Sequence, residues 1–215
     1  MQQLRAVVVA VAATVVVSAS ARAQGNRNFD NSWFWGFKSG INTFAVPGHG
    51  NTSTVDLGID WVITRTKGGL YVSGNQSIFQ RDVEVFDQAS STGLRTVRVN
   101  DMRRVSLGAL VFPKHFGGIT PYGGAGYMIA LLGDARVFVD SSNTFPSNAF
   151  LDKVESMRSR GAVFGVAGLQ IQTKRAAIFG QETLLPSNSQ FMFTSVLSFF
   201  EFGVRWNFGS SIDRD

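Results

Sequence analysis

The feature that most constrains the fold is the strict alternation in residues 200–208, near the C-terminus. Apolar side chains occupy every second position: Phe200, Phe202, Val204, Trp206 and Phe208. The positions between them are polar or small: Glu201, Gly203, Arg205 and Asn207. In an extended strand these two sets lie on opposite faces. Such a strand predicts a β-barrel wall, either with lipid outside and a polar lumen or with its apolar face turned inward around a ligand.

The same alternation recurs along the chain and predicts about eight strands. The clearest internal example is residues 54–65, where Val55, Leu57 and Ile59 alternate with polar or small residues. The other segments are residues 33–44, 70–80, 103–112, 119–132, 160–172, 176–185 and 191–208. Each approaches or exceeds the length of about 9–11 residues that a tilted membrane strand needs. The sequence therefore predicts an all-β protein, an antiparallel up-and-down barrel.

The connections between the predicted strands alternate in length. The short ones are residues 67–69, 113–118 and 173–175, and the longer ones are residues 46–53, 81–102, 133–159 and 186–190. Transmembrane barrels have short periplasmic turns and longer external loops, so the asymmetry favours lipid outside. Aromatic residues at strand ends predict two interfacial belts. Trp33, Phe34, Trp35, Trp206 and Phe208 are predicted at the periplasmic rim, with Phe44, Phe79, Phe191 and Phe193 near the opposite rim.

The N-terminus has the layout of a secretory signal peptide. A positive charge in residues 1–5 precedes a small-residue apolar run at residues 6–17, and Ala21, Arg22 and Ala23 surround a cleavage site before Gln24. We expect residues 1–23 to be the signal peptide and residues 24–215 to form one outer-membrane β-barrel domain. The sequence has no cysteine, which excludes a lipoprotein anchor, disulfides and cysteine metal sites.

Two motifs resemble those of a known family. The terminal strand, with Gly203, Trp206 and Phe208, resembles the C-terminal signal by which bacterial outer-membrane barrels are recognised, although residues 209–215 follow the last aromatic. Residues 120–127 resemble the Pro-Tyr, Gly-rich strand opening of the small OmpA-type eight-stranded outer-membrane barrels. The resemblance covers roughly residues 29–208. It implies a barrel in the bacterial outer membrane and a barrel-assembly machinery that recognises the terminal strand.

A cluster of polar residues is predicted inside the barrel. It comprises Lys38, Asn42, Asp56, Asp60, Glu201 and Arg205, on the inward faces of the first, second and eighth strands. These strands are neighbours in a closed barrel, and an eight-stranded barrel is only just wide enough to be filled by side chains. The pattern favours a lumen packed with ion pairs; the alternative is a gated pore or proton path.

Arginines near the predicted external strand tips are a candidate lipid-headgroup site. Arg103, Arg104, Arg158 and Arg160 flank the two longest connections. Arginine pairs bidentately with phosphate, so the cluster predicts contact with lipopolysaccharide, whereas ordinary solubility is the alternative.

The sequence shows no catalytic motif. Neither His49 nor His115 has a serine two residues later, although His49 could still meet Ser53 in the fold. We expect a non-enzymatic monomer without cofactor or metal that contacts outer-membrane lipid and no nucleic acid, in a structural or surface-interaction role. The alternatives are a narrow channel or carrier for small or apolar solutes, and a soluble lipocalin-like ligand-binding barrel.

Overall fold

A computed structural model describes residues 31–90, 92–113, 116–139, 145–173, 175–187 and 191–210. The predicted signal peptide (residues 1–23), His115 and residues 211–215 lie outside this part of the chain. Within it the elements are β1 (Ser32–Val46), β2 (Gly50–Thr64), β3 (Gly68–Phe86), β4 (Leu94–Val111), β5 (Ile119–Leu132), β6 (Ala135–Val137), α1 (Asn148–Ser156), β7 (Ser159–Gln172), β8 (Ala176–Leu185) and β9 (Thr194–Ser210). None of the helices described is long and apolar enough to cross a membrane, a finding that does not bear on strands.

The eight long strands form a closed antiparallel barrel. Each pairs with the next long strand in the chain, and β9 pairs with β1 from Ser32↔Ser210 to Ala45↔Thr194. Closure leaves no open edge in the wall, as a sheet surrounded by lipid requires. The predicted fold class is confirmed, and the predicted bounds of the fifth and seventh segments coincide with those of β5 and β8.

The apolar face of the strands is turned outward. Along β1, Trp33, Trp35 and Phe37 are 40–68% exposed, while Phe34 and Lys38 on the other face of the strand are at most 5% exposed. The same alternation runs through β2, β4 and β9. In a soluble lipocalin-like barrel the apolar face of the strands would line the interior and bind a ligand there. Here the apolar face lies outside, so the lipocalin-like alternative is wrong.

Aromatic residues form a band at one end of the outer wall. We call it the turn end, because the short connections 65–67, 112–118 and 173–175 lie there. Trp61 stacks on Trp35 at 5.5 Å between ring centroids and meets Trp33 edge-on at 5.4 Å. Trp35 lies opposite Trp206 across the β1–β9 pair. Phe34 was predicted in this band, but it is 1% exposed and lies inside the barrel because it falls on the other face of β1.

The opposite end, the loop end, is filled by phenylalanines from within. Phe44, Phe79, Phe191 and Phe193 were predicted near this rim, and they face inward instead of forming an external belt. The ring of Phe193 lies 4.2 Å from that of Phe44, 5.6 Å from that of Phe79 and 5.8 Å from that of Phe191. Together these four side chains form an aromatic plug inside the barrel mouth.

The first loop-end connection is shorter than predicted. The sequence suggested residues 46–53, but β1 and β2 continue to residues 46 and 50, so that only residues 47–49 connect them. Gly48 and Gly50 take φ values of 82° and 73°, which glycine adopts without steric cost. The His49 amide donates to the Val46 carbonyl at 3.0 Å and closes the turn.

The second loop-end connection is a projecting hairpin and not an irregular loop. β3 and β4 remain paired out to Phe86↔Leu94, far beyond the last pairs that join them to β2 and β5. With β6 and α1 this hairpin forms an outer lobe, defined as residues 82–99, Ala135–Val137 and Asn148–Ser156. Its buried apolar residues are Val83, Val85, Val97, Val99, Phe150 and Val154.

Polar contacts hold helix α1 on the hairpin. Arg95 is 1% exposed, donates from Nε to Asp87 at 2.6 Å and lies 5.6 Å from the ring of Phe150. Lys153 Nζ donates to the Phe86 carbonyl at 2.9 Å. The outer lobe therefore presents a folded surface beyond the barrel mouth.

Glu182 is a charged residue on the apolar outer wall. Glu182 of β8 is exposed, with Gly180 and Leu184 on the same face and Phe200 opposite on β9, and its only described partner is Ser198 Oγ at 3.0 Å. Replacing Glu182 by Leu should stabilise the barrel in a bilayer by about 1 kcal/mol, because carboxylates on a lipid face are moderately costly. Unfolding by guanidinium in phospholipid vesicles measures the change. Ser198→Val is the matched control, and a destabilised Glu182→Leu variant would contradict the expectation.

Candidate functional site

The barrel interior is the main concentration of buried charge, and it contains all six residues of the predicted lumen cluster. Lys38 is 5% exposed, and Asn42, Asp56, Asp60, Glu201 and Arg205 are 0–1% exposed. They face one another because β2, β1 and β9 are consecutive in the barrel wall.

Two ion pairs bridge the strands beside the β1–β9 closure. Lys38 Nζ of β1 lies 3.0 Å from Glu201 Oε2 of β9. Arg205 of β9 reaches across β1 to Asp60 of β2, with Nη2 at 2.7 Å and Nε at 3.1 Å from Oδ2. The guanidinium of Arg205 also lies 3.7 Å from the centre of the Phe179 ring. Each cation is therefore held by a carboxylate and, for Arg205, by an aromatic face as well.

Arg104 belongs to this cluster, which corrects the prediction that it contacts lipopolysaccharide. Its side chain is 2% exposed, and Nη2 lies 2.6 Å from Asp56 Oδ2 and 3.3 Å from Glu201 Oε1. Its guanidinium covers the ring of Phe199 at 3.4 Å. The sequence prediction began the fourth strand at residue 103, whereas β4 begins at Leu94, so that Arg104 lies well inside the strand and on its inward face.

Neutral side chains connect the ion pairs into one network. Gln181 accepts from Tyr122 Oη at 2.9 Å and from Arg205 Nη2 at 3.3 Å, and it donates to Glu201 Oε2 at 2.8 Å. Asn75 donates to Asp56 at 2.8 Å and to Glu201 at 2.6 Å. Sequence reasoning missed these residues. The alternation of β3 and β8 could have placed Asn75 and Gln181 inward, but an uncharged residue gives no sign of its partner.

The network balances its charges. Lys38, Arg104 and Arg205 face Asp56, Asp60 and Glu201, so three cations oppose three acids. Buried charges persist only when they are paired and hydrogen-bonded, and this equality meets the condition. Within the part of the chain the structure describes, a few buried polar atoms still lack a protein partner, among them Asn42 Oδ1, Arg104 Nε and Gln170 Nε2.

Glycines on the inward face make room for the long polar side chains. A Cβ atom at Gly36 would lie 2.7 Å from Arg205 Cγ, and one at Gly58 would lie 2.7 Å from Asn75 Cγ. Both distances are too short for carbon atoms in contact. The small residues of β1 and β2 therefore allow the network to fill a narrow barrel without clashes.

The remaining predicted arginines do not form one group. Arg103 projects from the outer wall with its side chain 68% exposed and lies 3.5 Å from Asp101. Arg158 donates to Glu155 at 2.7 Å and to the Leu132 carbonyl at 3.4 Å. Arg160 is half-buried on the inward face of β7. A shared phosphate site for Arg103, Arg104, Arg158 and Arg160 is therefore wrong, since Arg103 and Arg104 lie on opposite sides of the wall.

The residues considered for catalysis are engaged separately. His49 Nδ1 lies 3.4 Å from the Pro47 carbonyl, and the Ser53 hydroxyl lies 3.1 Å from that of Thr43. Among the described residues no group of three or more His, Asp or Glu side chains could hold a metal ion. The arrangement inside the barrel can bind the strands together and fill the lumen.

Removing one member of a buried ion pair should destabilise the barrel. Asp60→Asn leaves Arg205 buried beside a neutral amide, and the free energy of unfolding should fall by about 3–5 kcal/mol. Guanidinium unfolding in detergent, followed by tryptophan fluorescence, measures it. Glu155→Gln is the control, because it breaks an ion pair in which Glu155 is 70% exposed and should cost about 0–1 kcal/mol.

Equal losses in Asp60→Asn and Glu155→Gln would contradict a dry, charge-balanced lumen. The double replacement Asp60→Asn with Arg205→Met should recover most of the loss, since it removes the uncompensated charge.

Comparison with known proteins identifies the fold. No protein-family model and no curated protein sequence matches this chain. Neisserial surface protein A is 14% identical over 81% of this chain and 97% of its own, with a TM-score of 0.51. The attachment invasion locus protein Ail of Yersinia pestis (13% identity, 84% and 100% coverage, TM-score 0.48) and the outer membrane protein AlkL in lipid bilayers (13%, 91% and 99%, 0.49) also match. At such identities the likeness concerns the fold alone, which is the closed eight-stranded antiparallel β-barrel.

Proposed function

We propose that this protein is a non-enzymatic, monomeric barrel of the bacterial outer membrane with a structural or surface-interaction role. The observation that carries the proposal is the filled lumen. Its ion pairs, the residues that connect them and the aromatic plug all lie inside the barrel and are buried there. The described polar side chains inside the barrel are engaged with one another, which favours interactions on the outer surface and the outer lobe.

The outer wall supports a position in the outer membrane. It is apolar around the barrel and carries the Trp33, Trp35, Trp61 and Trp206 band at the turn end, as expected where a bilayer meets water. With the predicted signal peptide, this supports an orientation in which the turn end faces the periplasm and the outer lobe faces the cell exterior. We infer that the mature chain begins at Gln24.

Lipopolysaccharide is the partner proposed for the loop end. Of the four arginines named from the sequence, Arg103 is the one exposed on the wall, where β4 passes from apolar to polar surroundings. Its guanidinium can reach phosphates of the outer leaflet, which arginine recognises by paired hydrogen bonds. Arg104 is excluded from this role by its burial.

The barrel-assembly machinery is the second proposed partner. Trp206 and Phe208 are 44% and 72% exposed on the outer face of β9, so both side chains are accessible to a protein that recognises the strand. Gly203 lies against Lys38, with a Cβ at that position 3.0 Å from Lys38 Cβ. The motif Gly203, Trp206 and Phe208 thus combines a packing requirement with two outward aromatics.

A filled lumen should not conduct. The purified protein in planar bilayers should show little or no steady ion current, because an eight-stranded barrel is only just wide enough for side chains to fill and this one holds the buried network and the aromatic plug. A matched variant that truncates the plug, Phe193→Ala, should remain folded and raise transient leakage. A stable open conductance of the wild type would support the alternative of a narrow channel and contradict this proposal.

The terminal aromatic should act mainly during assembly. Phe208→Asp places a charge at the membrane boundary, where the penalty is about 0–1 kcal/mol, too small to unfold the barrel. In cells the variant should be lost from the outer-membrane fraction in which wild type is recovered with detergent. The purified variant should still refold in detergent and keep a heat-modifiable electrophoretic mobility.

Deletion of residues 209–215 is the control for the assembly experiment. It restores the ending at Phe208 that is usual in the family, so insertion should be normal. Normal insertion of Phe208→Asp together with failure of the deletion would mean that the signal lies in the tail. Recovery of the wild type from the soluble periplasm would overturn the proposed location.

A further inference from the structure

A polar cleft opens at the loop end, outside the barrel. It lies between the β1–β2 turn and the base of the projecting hairpin and has a volume of about 410 Å³. Its lining consists of Val46, His49, Asn51, Thr52, Gln80, Arg81, Asp82 and Arg98. Small-molecule sites commonly have volumes of about 300–1,000 Å³, so the cleft can accept a ligand of that class.

A bulge in β3 shapes one wall of the cleft. The β3–β4 register shifts between Ser77 and Gln80, where the hairpin leaves the barrel. Bulges bend a strand and redirect its side chains, and they are frequent beside functional sites. The residues directly after the shift, Gln80, Arg81 and Asp82, line the cleft.

Arg81 is held in place while part of its guanidinium stays available. Its Nε donates to Thr52 Oγ1 at 3.1 Å and its Nη1 donates to the Gln80 carbonyl at 3.2 Å. Both acceptors are neutral oxygens, so the positive charge has no carboxylate partner among these bonds. A guanidinium carries five N–H groups, which leaves Nη2 and the second Nη1 hydrogen for a ligand.

Arg98 is neutralised by the acid beside it. Its Nε and Nη2 donate to the two oxygens of Asp82 at 2.7 and 2.9 Å, and its guanidinium lies 4.4 Å from the centre of the Phe138 ring. These hydrogen bonds hold the pKa of the Asp82 carboxyl below its ordinary value, so that the acid stays ionised and paired. Among the described residues that line the cleft, Arg81 is therefore the cation without a carboxylate partner.

We propose that this cleft binds a phosphate or similar oxyanion carried on a saccharide, with Arg81 as the anion-binding residue. The proposal rests on the surface-interaction role proposed above and names its ligand class. The amides of Asn51 and Gln80 and the imidazole of His49 supply hydrogen-bonding groups of the kind that fix sugar hydroxyls. No Phe, Tyr or Trp side chain lines the cleft among the described residues, which disfavours ligands that bind by stacking, such as nucleobases.

Two sources could present the same chemistry. Phosphorylated sugars of lipopolysaccharide lie in the membrane around the barrel, and free phosphorylated sugars would approach from the medium. The cleft opens beside Asn51 and Thr52, at the start of β2 where the outer wall becomes polar. The shared ligand is therefore a sugar phosphate, and the source is decided by experiment.

The test uses the mature chain, refolded in detergent, with glucose 1-phosphate as the probe and glucose as the neutral control. Titration calorimetry or NMR shifts should detect binding of the phosphate and not of glucose. Arg81→Gln should weaken this binding at least tenfold, and rising salt should weaken the wild type in the same direction. Arg65→Gln, which removes an exposed arginine at the turn end, should leave the affinity unchanged.

A second variant keeps the proposal testable if Arg81→Gln folds poorly. Thr52→Val removes the hydroxyl that positions Arg81 but keeps all charges, and it should weaken binding by a smaller factor than Arg81→Gln. Heat-modifiable mobility reports folding of each variant. Equal affinity for glucose and glucose 1-phosphate, or an unchanged affinity in Arg81→Gln, would overturn the site.

The source of the ligand is separated in nanodiscs. If lipopolysaccharide fills the cleft, nanodiscs with phosphorylated lipopolysaccharide should block the probe and nanodiscs with dephosphorylated lipopolysaccharide should not. Equal binding in both would assign the cleft to free sugar phosphates. Failure of the cleft leaves the non-conducting barrel intact, since conductance and membrane fractionation test that role independently.

Discussion

The ion pairs beside the β1–β9 closure are the interaction on which the rest of the structure depends. A barrel surrounded by lipid must close, because an open edge would leave backbone N–H and C=O groups without partners. Lys38 joins β1 to β9, and Arg205 joins β9 to β2 across β1. These contacts connect the first and last parts of the chain, which are separated by nearly its whole described length. Their geometry requires three consecutive strands in register.

The alternation of apolar and polar residues predicted most of the barrel strands, because the two faces of each strand lie in different surroundings. Lipid outside and a narrow polar interior require opposite side chains at successive positions, and this signal persists through β1, β2, β5, β8 and β9. It failed where β3 and β4 extend beyond the barrel wall. The outer hairpin alternates as well, with Val83 and Val85 buried between polar neighbours, but two long strands outside a membrane were not expected. The sequence prediction placed Arg104 at a strand tip for the same reason, because it began the fourth strand at residue 103 and not at Leu94.

The lumen network and the cleft differ in how much of each could be predicted from the sequence. Charged residues such as Asp60 and Arg205 are visible in the sequence on strands that both neighbour β1, so their contact follows from the order of strands in a closed barrel. The cleft depends on a register shift, on a turn formed by residues 47–49 and on a hydrogen bond from Arg81 to Thr52. None of these has a periodic signature, and an arginine in a presumed loop looks like any other solvated cation.

The terminal strand meets two requirements in one segment: it closes the barrel against β1, and it turns its apolar face outward. Gly203 lies where β9 approaches Lys38 of β1, and a Cβ there would lie 2.9 Å from Lys38 Cα, so the closure itself requires a residue without a side chain. One and three residues before the tail, Phe208 and Trp206 lie on the outward face because the alternation sets their direction. Closure therefore explains the glycine, and lipid explains the aromatics. A machinery that recognises this pattern would select chains whose last strand can both seal the barrel and face the membrane.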